Sequence, residues 1–300
     1  MNEAIQYSII IPHYKSINSL AKCIHTIPDR KDIQVIIVDD NSGIEKSVFE
    51  SRCLKGRQNV SIIYEWHNNG AGHARNVGLK EAKGNWILFA DSDDYFSENA
   101  FCLCDKYVES NFDIVFFGIC GDNVQALVNR DRHNIYNQRI QQCDINNQRS
   151  IDELRFSHNV PWGKMIRHDI IIDNNIQFEE IKYSNDVMFS TKLSLAAKNI
   201  CVEKHPLYCV TAPYGSLTAQ ETLESCRLRY QVILRKNELL RKAGYGDFQT
   251  SIIFYLLKFR RYGLAEVVRE INIGIKSHAN FFVGSSQWGK KILNRIIQKR

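Results

Sequence analysis

Trp86-Ile87-Leu88-Phe89-Ala90 runs directly into Asp91-Ser92-Asp93-Asp94, and this junction decides the fold. A short apolar run closed by turn residues reads as a buried strand. A strand that delivers clustered carboxylates to its carboxyl end builds a cation site, because hard ions such as Mg²⁺ and Mn²⁺ take oxygen ligands and share them with substrate phosphates. Three aspartates within four residues repel one another unless a cation or hydrogen-bond donors compensate them. The other reading is an Asx-rich turn leading into a helix that starts near Ser97.

The same unit recurs upstream. Tyr7–Ile11 ends at Pro12, Ile33–Val38 ends at Asp39-Asp40-Asn41-Ser42-Gly43, and Val60–Tyr64 is followed by Asn68-Asn69-Gly70. Helical spacing fills the gaps over 17–27, 74–82 and 98–109, and a fifth apolar run covers Ile114–Ile119. This β–α alternation predicts an α/β fold with a mainly parallel, doubly wound sheet flanked by helices. Ligands of such sheets bind outside the carboxyl ends of the strands. Those ends hold Pro12, Asp39 and Asp40, Trp66 to Asn69, and Asp91 with Asp93.

Between 121 and 150 the chain turns polar without a clear period and is expected to be irregular. Apolar runs follow at Trp162–Ile166 and Ile176–Phe178, then a helix over Asp186–Ala197 and short strands near Ile200–Val202 and Leu207–Val210. From about Thr218 the pattern is helical, over 223–243, 248–273 and 288–299. The expected organisation is a domain over 1–215, made of halves 1–120 and 121–215, and a helical C-terminal region over 216–300.

Composition is that of a globular protein, 44% hydrophobic and 24% charged, with a net charge of +6. No apolar run approaches membrane-spanning length and no signal-peptide pattern opens the chain, so a cytoplasmic protein is expected. Nine scattered cysteines, with Cys102-Leu103-Cys104 the tightest spacing, point to reduced thiols, with residues such as Cys120 filling apolar space. Residues 251–300 carry ten Lys or Arg against Glu266 and Glu270, interleaved with apolar residues. That pattern suits peripheral contact with an anionic inner-membrane surface, or a solvated basic helix face. No nucleic-acid module accompanies the charge, so nucleic acid is not expected as a partner.

Five blocks in order carry a family resemblance: Ser8-Ile-Ile-Ile-Pro-His-Tyr14, Val38-Asp-Asp-Asn-Ser42, Ala74-Arg-Asn-Val-Gly-Leu79, Ala90-Asp-Ser-Asp-Asp94 and Ser184-Asn-Asp-Val-Met-Phe189. As an ordered set over roughly residues 5–215, the chain resembles the inverting family 2 glycosyltransferases of the GT-A fold, of the bacterial surface-polysaccharide or lipopolysaccharide type. The resemblance implies a nucleotide-binding half over 1–120 and an acceptor-side half over 121–215. It places Pro12 and Tyr14 beside the base and gives Asp40 the uracil N–H, with Asp39 supporting the loop; a carboxylate is acceptor-only and suits an imide donor. For both aspartates the alternative is capping the next helix.

Arg75 matches the family's diphosphate-side arginine, able to clamp phosphate through two parallel N–H bonds. Gly70-Ala71-Gly72 does not read as a dinucleotide fingerprint, since Arg75 stands where the third small residue belongs. His73 reads as an exposed or hydrogen-bonded loop histidine. Asp91, Ser92, Asp93 and Asp94 form the donor-binding acidic loop, with Asp91 and Asp93 the implied ligands of Mn²⁺ or Mg²⁺ and Asp94 orienting them or touching the donor sugar. Asp186 matches the general base, with a helix N-terminal carboxylate as the alternative. Here the chain departs from the family's Glu-Asp pair, because Asn185 replaces the acid.

Trp162, Lys164 and Asn185 are expected on the acceptor side, Trp162 stacking on sugar or filling the core. Ser216-Leu217-Thr218 resembles a lid segment, and Tyr208 and Tyr214 read as packing. The resemblance implies a metal-dependent transferase moving sugar from a UDP-sugar to a hydroxyl of a glycan or lipid-linked glycan. The rival classes are a nucleotidyltransferase, which would carry a Gly-rich basic loop where Pro12-His13-Tyr14-Lys15 stands, and an inactive nucleotide-sugar-binding module.

Overall fold

The structure, a computed structural model, describes residues 4–121, 131–211, 221–279 and 281. Its chain clusters into two compact units, Met1–Ser216 and Leu217–Arg300. The first unit is built on one eight-stranded sheet. The strands are β1 (Tyr7–His13), β2 (Ile33–Asp39), β3 (Val60–Tyr64), β4 (Trp86–Phe89), β5 (Tyr95–Phe96), β6 (Ile114–Gly121), β7 (Lys164–Arg167) and β8 (Ile200–Val210). Its helices are α1 (Ile17–His25), α2 (Lys46–Phe49), α3 (Ala71–Glu81), α4 (Ala100–Asp105), α5 (Asp131–Gln142), α6 (Gln148–Ser157), α7 (His168–Asp173) and α8 (Asn185–Ala196).

The sheet order is β3-β2-β1-β4-β7-β6-β8-β5. β3, β2, β1 and β4 are mutually parallel, as the alternating motif predicts. Every residue of β1 and β4 is buried, which is why these strands read as unbroken apolar runs. β3 sits at the sheet edge and is buried fully only at Val60. Beyond β4 the sheet turns mixed: β7 runs antiparallel to β4 and to β6, and β5 antiparallel to β8. The sheet is thus mixed but mainly parallel, since β6 and β8 also pair in parallel and four of its seven strand pairings have that sense.

Several local expectations change. The polar stretch after 121 holds α5 and α6 among its described residues, and Asn147 caps α6 by accepting from the backbone N–H groups of Arg149 and Ser150. The two strands expected near 200 and 207 are one, β8, paired in parallel with β6 across an irregularity at Gly118. Ile176–Phe178 forms no strand, and the helix expected over 98–109 shortens to α4. The acidic loop leads first into β5, not directly into a helix.

The expectation of scattered thiols also needs correction. Cys120 and Cys209 are register partners on β6 and β8, with Cα atoms 4.4 Å apart, and are joined as a disulfide. Their separation of 89 residues hides that pairing from any reading of local spacing.

The second unit holds α9 (Leu223–Lys242), α10 (Ile253–Phe259) and α11 (Leu264–Lys276). Thr222 and Ser225 close a reciprocal capping box at the start of α9. The long helix expected over 248–273 is broken before α11 by Gly263, whose φ of 105° suits glycine alone. Tyr230 donates to the Glu270 carbonyl at 2.9 Å, and Asn237 both donates to and accepts from Thr250. Among the described residues no helix is long and apolar enough to cross a membrane. The helix expected over 288–299 and the Ser216–Thr218 segment lie outside the described residues, as does Tyr214.

Candidate functional site

The parallel half of the sheet brings the ends of β1, β2, β3 and β4 to one edge, and the predicted residues gather there. His13 and Asp39 are register partners at the ends of β1 and β2. The His13 Nε2 atom accepts the Ser16 backbone N–H at 3.1 Å, so the ring proton sits on Nδ1 and is donated to Asp39 at 2.7 Å. Ser42 adds its hydroxyl and its backbone N–H to the same carboxylate. Burial pushes the Asp39 carboxyl up, but the donors from His13 and Ser42 outweigh it and hold the acid below its ordinary range. The result is a closed turn with a buried, ionised carboxylate.

Asp40 works across the edge. Its two carboxylate oxygens accept the backbone N–H groups of Asn69 and Gly70, both at 2.8 Å, and Asn68 donates to its carbonyl. Neither aspartate caps α2, whose N-terminal flanking residue is Glu45. Gly70, with φ at 88°, then starts α3. Pro12 is buried in β1 and Tyr14 stands 47% exposed beside it.

α3 carries Arg75 into the middle of the site. Its guanidinium pairs with Asp91 at 2.6 Å and donates to the Asn185 side-chain oxygen at 3.1 Å. In this arrangement it is a strut between the acidic loop and α8, with the ring of Phe178 5.3 Å away. α3 seats closely on the segment before α8: Asn76 exchanges hydrogen bonds with the backbone of Phe178, and a Cβ on Gly72 would strike the Glu179 carbonyl. Ser184, in the left-handed region, turns the chain into α8, so Asn185 and Asp186 occupy its first turn.

The acidic loop itself is held by residues far along the chain. The Asp91 N–H donates to the Tyr208 hydroxyl at 2.8 Å. Thr211 donates its hydroxyl to the Asp93 carbonyl at 2.6 Å and its N–H to the Asp94 carboxylate at 2.7 Å. The hydroxyls of Ser92 and Ser16 lie 2.9 Å apart. Carboxylate oxygens of Asp91, Asp93 and Asp94 all lie within 4.8 Å of one another. Burial, and then the charges of Asp91 and Asp93, push the Asp94 acid well above its ordinary range. Crowded oxygen donors with excess negative charge fit a hard divalent cation.

Tyr208 and Thr211 were not legible as site residues; their motif partners stand more than a hundred positions earlier. His73 is hydrogen-bonded, but from α3 and not from a loop, and its two ring nitrogens lie 3.1 and 3.2 Å from Glu65 and Glu180. Two acceptor-side expectations are corrected. Trp162 is 1% exposed with the Tyr208 ring stacked 5.6 Å from it, so its indole fills the core and offers no face to a sugar. Lys164 is also 1% exposed, its ammonium turned to the His158 carbonyl. A cavity of about 640 Å³ beside Phe112, Arg155 and Ile200 lies at the amino ends of β6 and β8, away from these groups.

A largely parallel α/β sheet with an acidic loop at its carboxyl edge defines the class of the molecule. The model of glycosyl transferase family 2 matches residues 8–173, and the chain belongs to that family. It is 29% identical over 214 residues to the poly(ribitol-phosphate) beta-N-acetylglucosaminyltransferase TarS of Staphylococcus aureus (strain MW2), covering 68% of this chain and 35% of that one. The chain thus spans about a third of the length of that relative. It is 26% identical over 277 residues to the uncharacterized glycosyltransferase EpsJ of Bacillus subtilis (strain 168), covering 90% and 75% of the two chains.

Among solved structures, residues 1–349 of S. aureus TarS in complex with UDP-GlcNAc superpose with a TM-score of 0.68 at 22% identity, over 91% of this chain and 81% of that one. The mannosyltransferase PcManGT of Pyrobaculum calidifontis, in complex with GDP-Man and Mn²⁺, gives 0.53 at 12% identity, over 97% and 81%. At such identities these likenesses establish the GT-A fold.

Proposed function

We propose that the chain transfers a sugar, with inversion, from a UDP-sugar to a hydroxyl of a surface glycan such as a polyol-phosphate or polysaccharide chain. The observation that carries this reading is the Arg75 strut, which ties Asp91 of the acidic loop to Asn185, the residue next to Asp186 in the first turn of α8. Residues 1–120 form the donor half: Pro12 and Tyr14 flank the base, and Asp40, braced by Asn69 and Gly70, keeps lone pairs for the uracil N–H. Asp91 and Asp93 would hold Mn²⁺ or Mg²⁺, with Ser92 and Asp94 shaping the loop around it. These residues would thereby supply, through the bound ion, positive charge against the diphosphate as UDP departs. Arg75 supplies positive charge on the same side once the diphosphate competes for it.

Residues 121–215 form the acceptor half. Asp186 accepts the proton of the acceptor hydroxyl as its oxygen bonds to the anomeric carbon, while the bond from that carbon to the UDP oxygen breaks. One displacement from the opposite face inverts the centre. Asn185 leaves this base intact and gives Arg75 a neutral acceptor. The basic 251–300 stretch, with Leu264, Val268 and Ile275 exposed along α11, supports a peripheral seat on an anionic membrane surface.

The test is Asp186→Asn assayed for UDP release from UDP-sugars with a polyol-phosphate or glycan acceptor. Turnover is expected to fall by roughly a thousandfold with UDP affinity retained. A variant that still turns over removes Asp186 as the base. Wild-type protein that binds UDP with Mn²⁺ yet never releases it from any donor is instead a binding module.

A further inference from the structure

Lys164 opens β7 and is buried, yet its ammonium sits within a polar cage. Nζ donates to the His158 carbonyl at 2.9 Å and to Ser190 Oγ at 3.3 Å, and the Phe116 ring centre is 5.5 Å away. Ser190 lies four residues after Asp186 on α8, so the two share one helical face a single turn apart. The ammonium therefore meets α8 one turn past Asp186, from the core side.

The charged neighbours of this group are few and their signs are known. Burial pulls the Lys164 ammonium down to about 7, and the Asp186 charge acts in the opposite sense. The His158 imidazole, at the end of α6, is held well below its ordinary range by burial and then by Lys164 and Arg139, so it stays neutral beside the cation. From β6 the contact is the Phe116 ring, and from α8 it is Ser190 with Asp186 above it. A buried lysine without a carboxylate would shed its proton.

We propose that Lys164 is a positioning residue that acts from behind α8 to keep the Asp186 carboxylate ionised at the site. The proposal rests on the reading of Asp186 as the base. The cation gains charge as pH falls through neutrality, the direction in which an isolated carboxylate base would be lost to protonation. Lys164 thereby extends the working range of Asp186 without touching substrate.

The experiment is a ¹³C NMR titration of aspartate carboxyls in the full chain, with Asp186→Asn assigning the Asp186 signal. In Lys164→Met the Asp186 midpoint is expected to rise by about one pH unit, and the acid limb of kcat/KM to move with it. An unchanged Asp186 midpoint overturns the proposal. Coupling is reciprocal, so the Lys164 ε-carbon titration in Asp186→Asn is expected to shift downward even should Lys164→Met fail to fold. No shift there also overturns it. Turnover surviving in Asp186→Asn would instead remove the base reading while leaving the measured coupling in place.

Discussion

The turn after β2 and the loop after β4 sit on the same sheet edge but are built in opposite ways. Around Asp39 and Asp40 the partners are near in sequence: Ser42 is 3 residues away, His13 is 26, and Gly70 is 30. Around Asp91 and Asp93 the side-chain partner Arg75 is near, at 16 residues, but the groups that hold the loop backbone are remote, with Tyr208 at 117 residues and Thr211 at 118. The first region is complete once three adjacent strands have paired. The second exists only when β8 has docked against β5 and β6. An edge closed by neighbouring strands is thus joined to an acidic loop whose shape depends on the far end of the domain.

The largest expected effect breaks the first of these regions. His13→Ala removes the donor to a carboxylate that is 3% exposed and leaves it buried with weaker compensation. Losing a hydrogen bond to a buried charged group is expected to cost about 2 kcal/mol, read as a lowered urea midpoint. The Asp39 acid, now held down less, is also expected to titrate nearer its ordinary value. A variant as stable as wild type would mean that strand pairing alone holds this edge, and the contrast between the regions would weaken.

The contrast also explains what the chain disclosed before folding. Apolar runs ending in Asp39-Asp40 and Asp91-Ser92-Asp93 announced parallel strands and their ligand edge, because a strand buried on both faces leaves an uninterrupted apolar stretch. The place of Asp186 in the first turn of a helix was legible too, from the apolar spacing that follows it. What stayed hidden came from long-range pairing. β7 gives no sign in its four residues that it runs antiparallel, and Cys120 and Cys209 meet only through strand register. Tyr208 reads as a core aromatic, and it is one; only its hydroxyl serves the loop. Trp162 and Lys164 were placed beside the acceptor because a motif near a site does not say which way its side chains face.

A middling effect tests the loop side. Thr211→Val keeps the backbone N–H to Asp94 and deletes the hydroxyl that holds the Asp93 carbonyl. Tyr208→Phe deletes the acceptor of the Asp91 N–H. Each lost hydrogen bond is worth about 1 kcal/mol, so stability should change modestly. Turnover should fall by about tenfold for each, with more Mn²⁺ needed for half-maximal rate and UDP-sugar specificity unchanged. Equal losses of stability and activity would show that β8 merely holds the fold.

The smallest effect concerns a contact that ties the end of β3 to the segment before α8. His73 on α3 lies between Glu65, just past β3, and Glu180, in the segment leading to α8. Burial lowers its pKa, but the two carboxylates outweigh burial and raise it above the ordinary histidine value. A histidine whose folded pKa is raised lends stability fully below the unfolded value of about 6.5 and loses it as pH climbs through the folded value. His73→Gln should therefore be less stable than wild type by about 0.5–1 kcal/mol near pH 6 at low salt. The gap should close towards pH 8.5 or so and shrink as ionic strength rises. Urea midpoints at the two pH values measure it. A gap that persists unchanged at high pH would assign the contact to packing, and Asn76, which also bonds Glu180, would then be what joins α3 to the segment before α8.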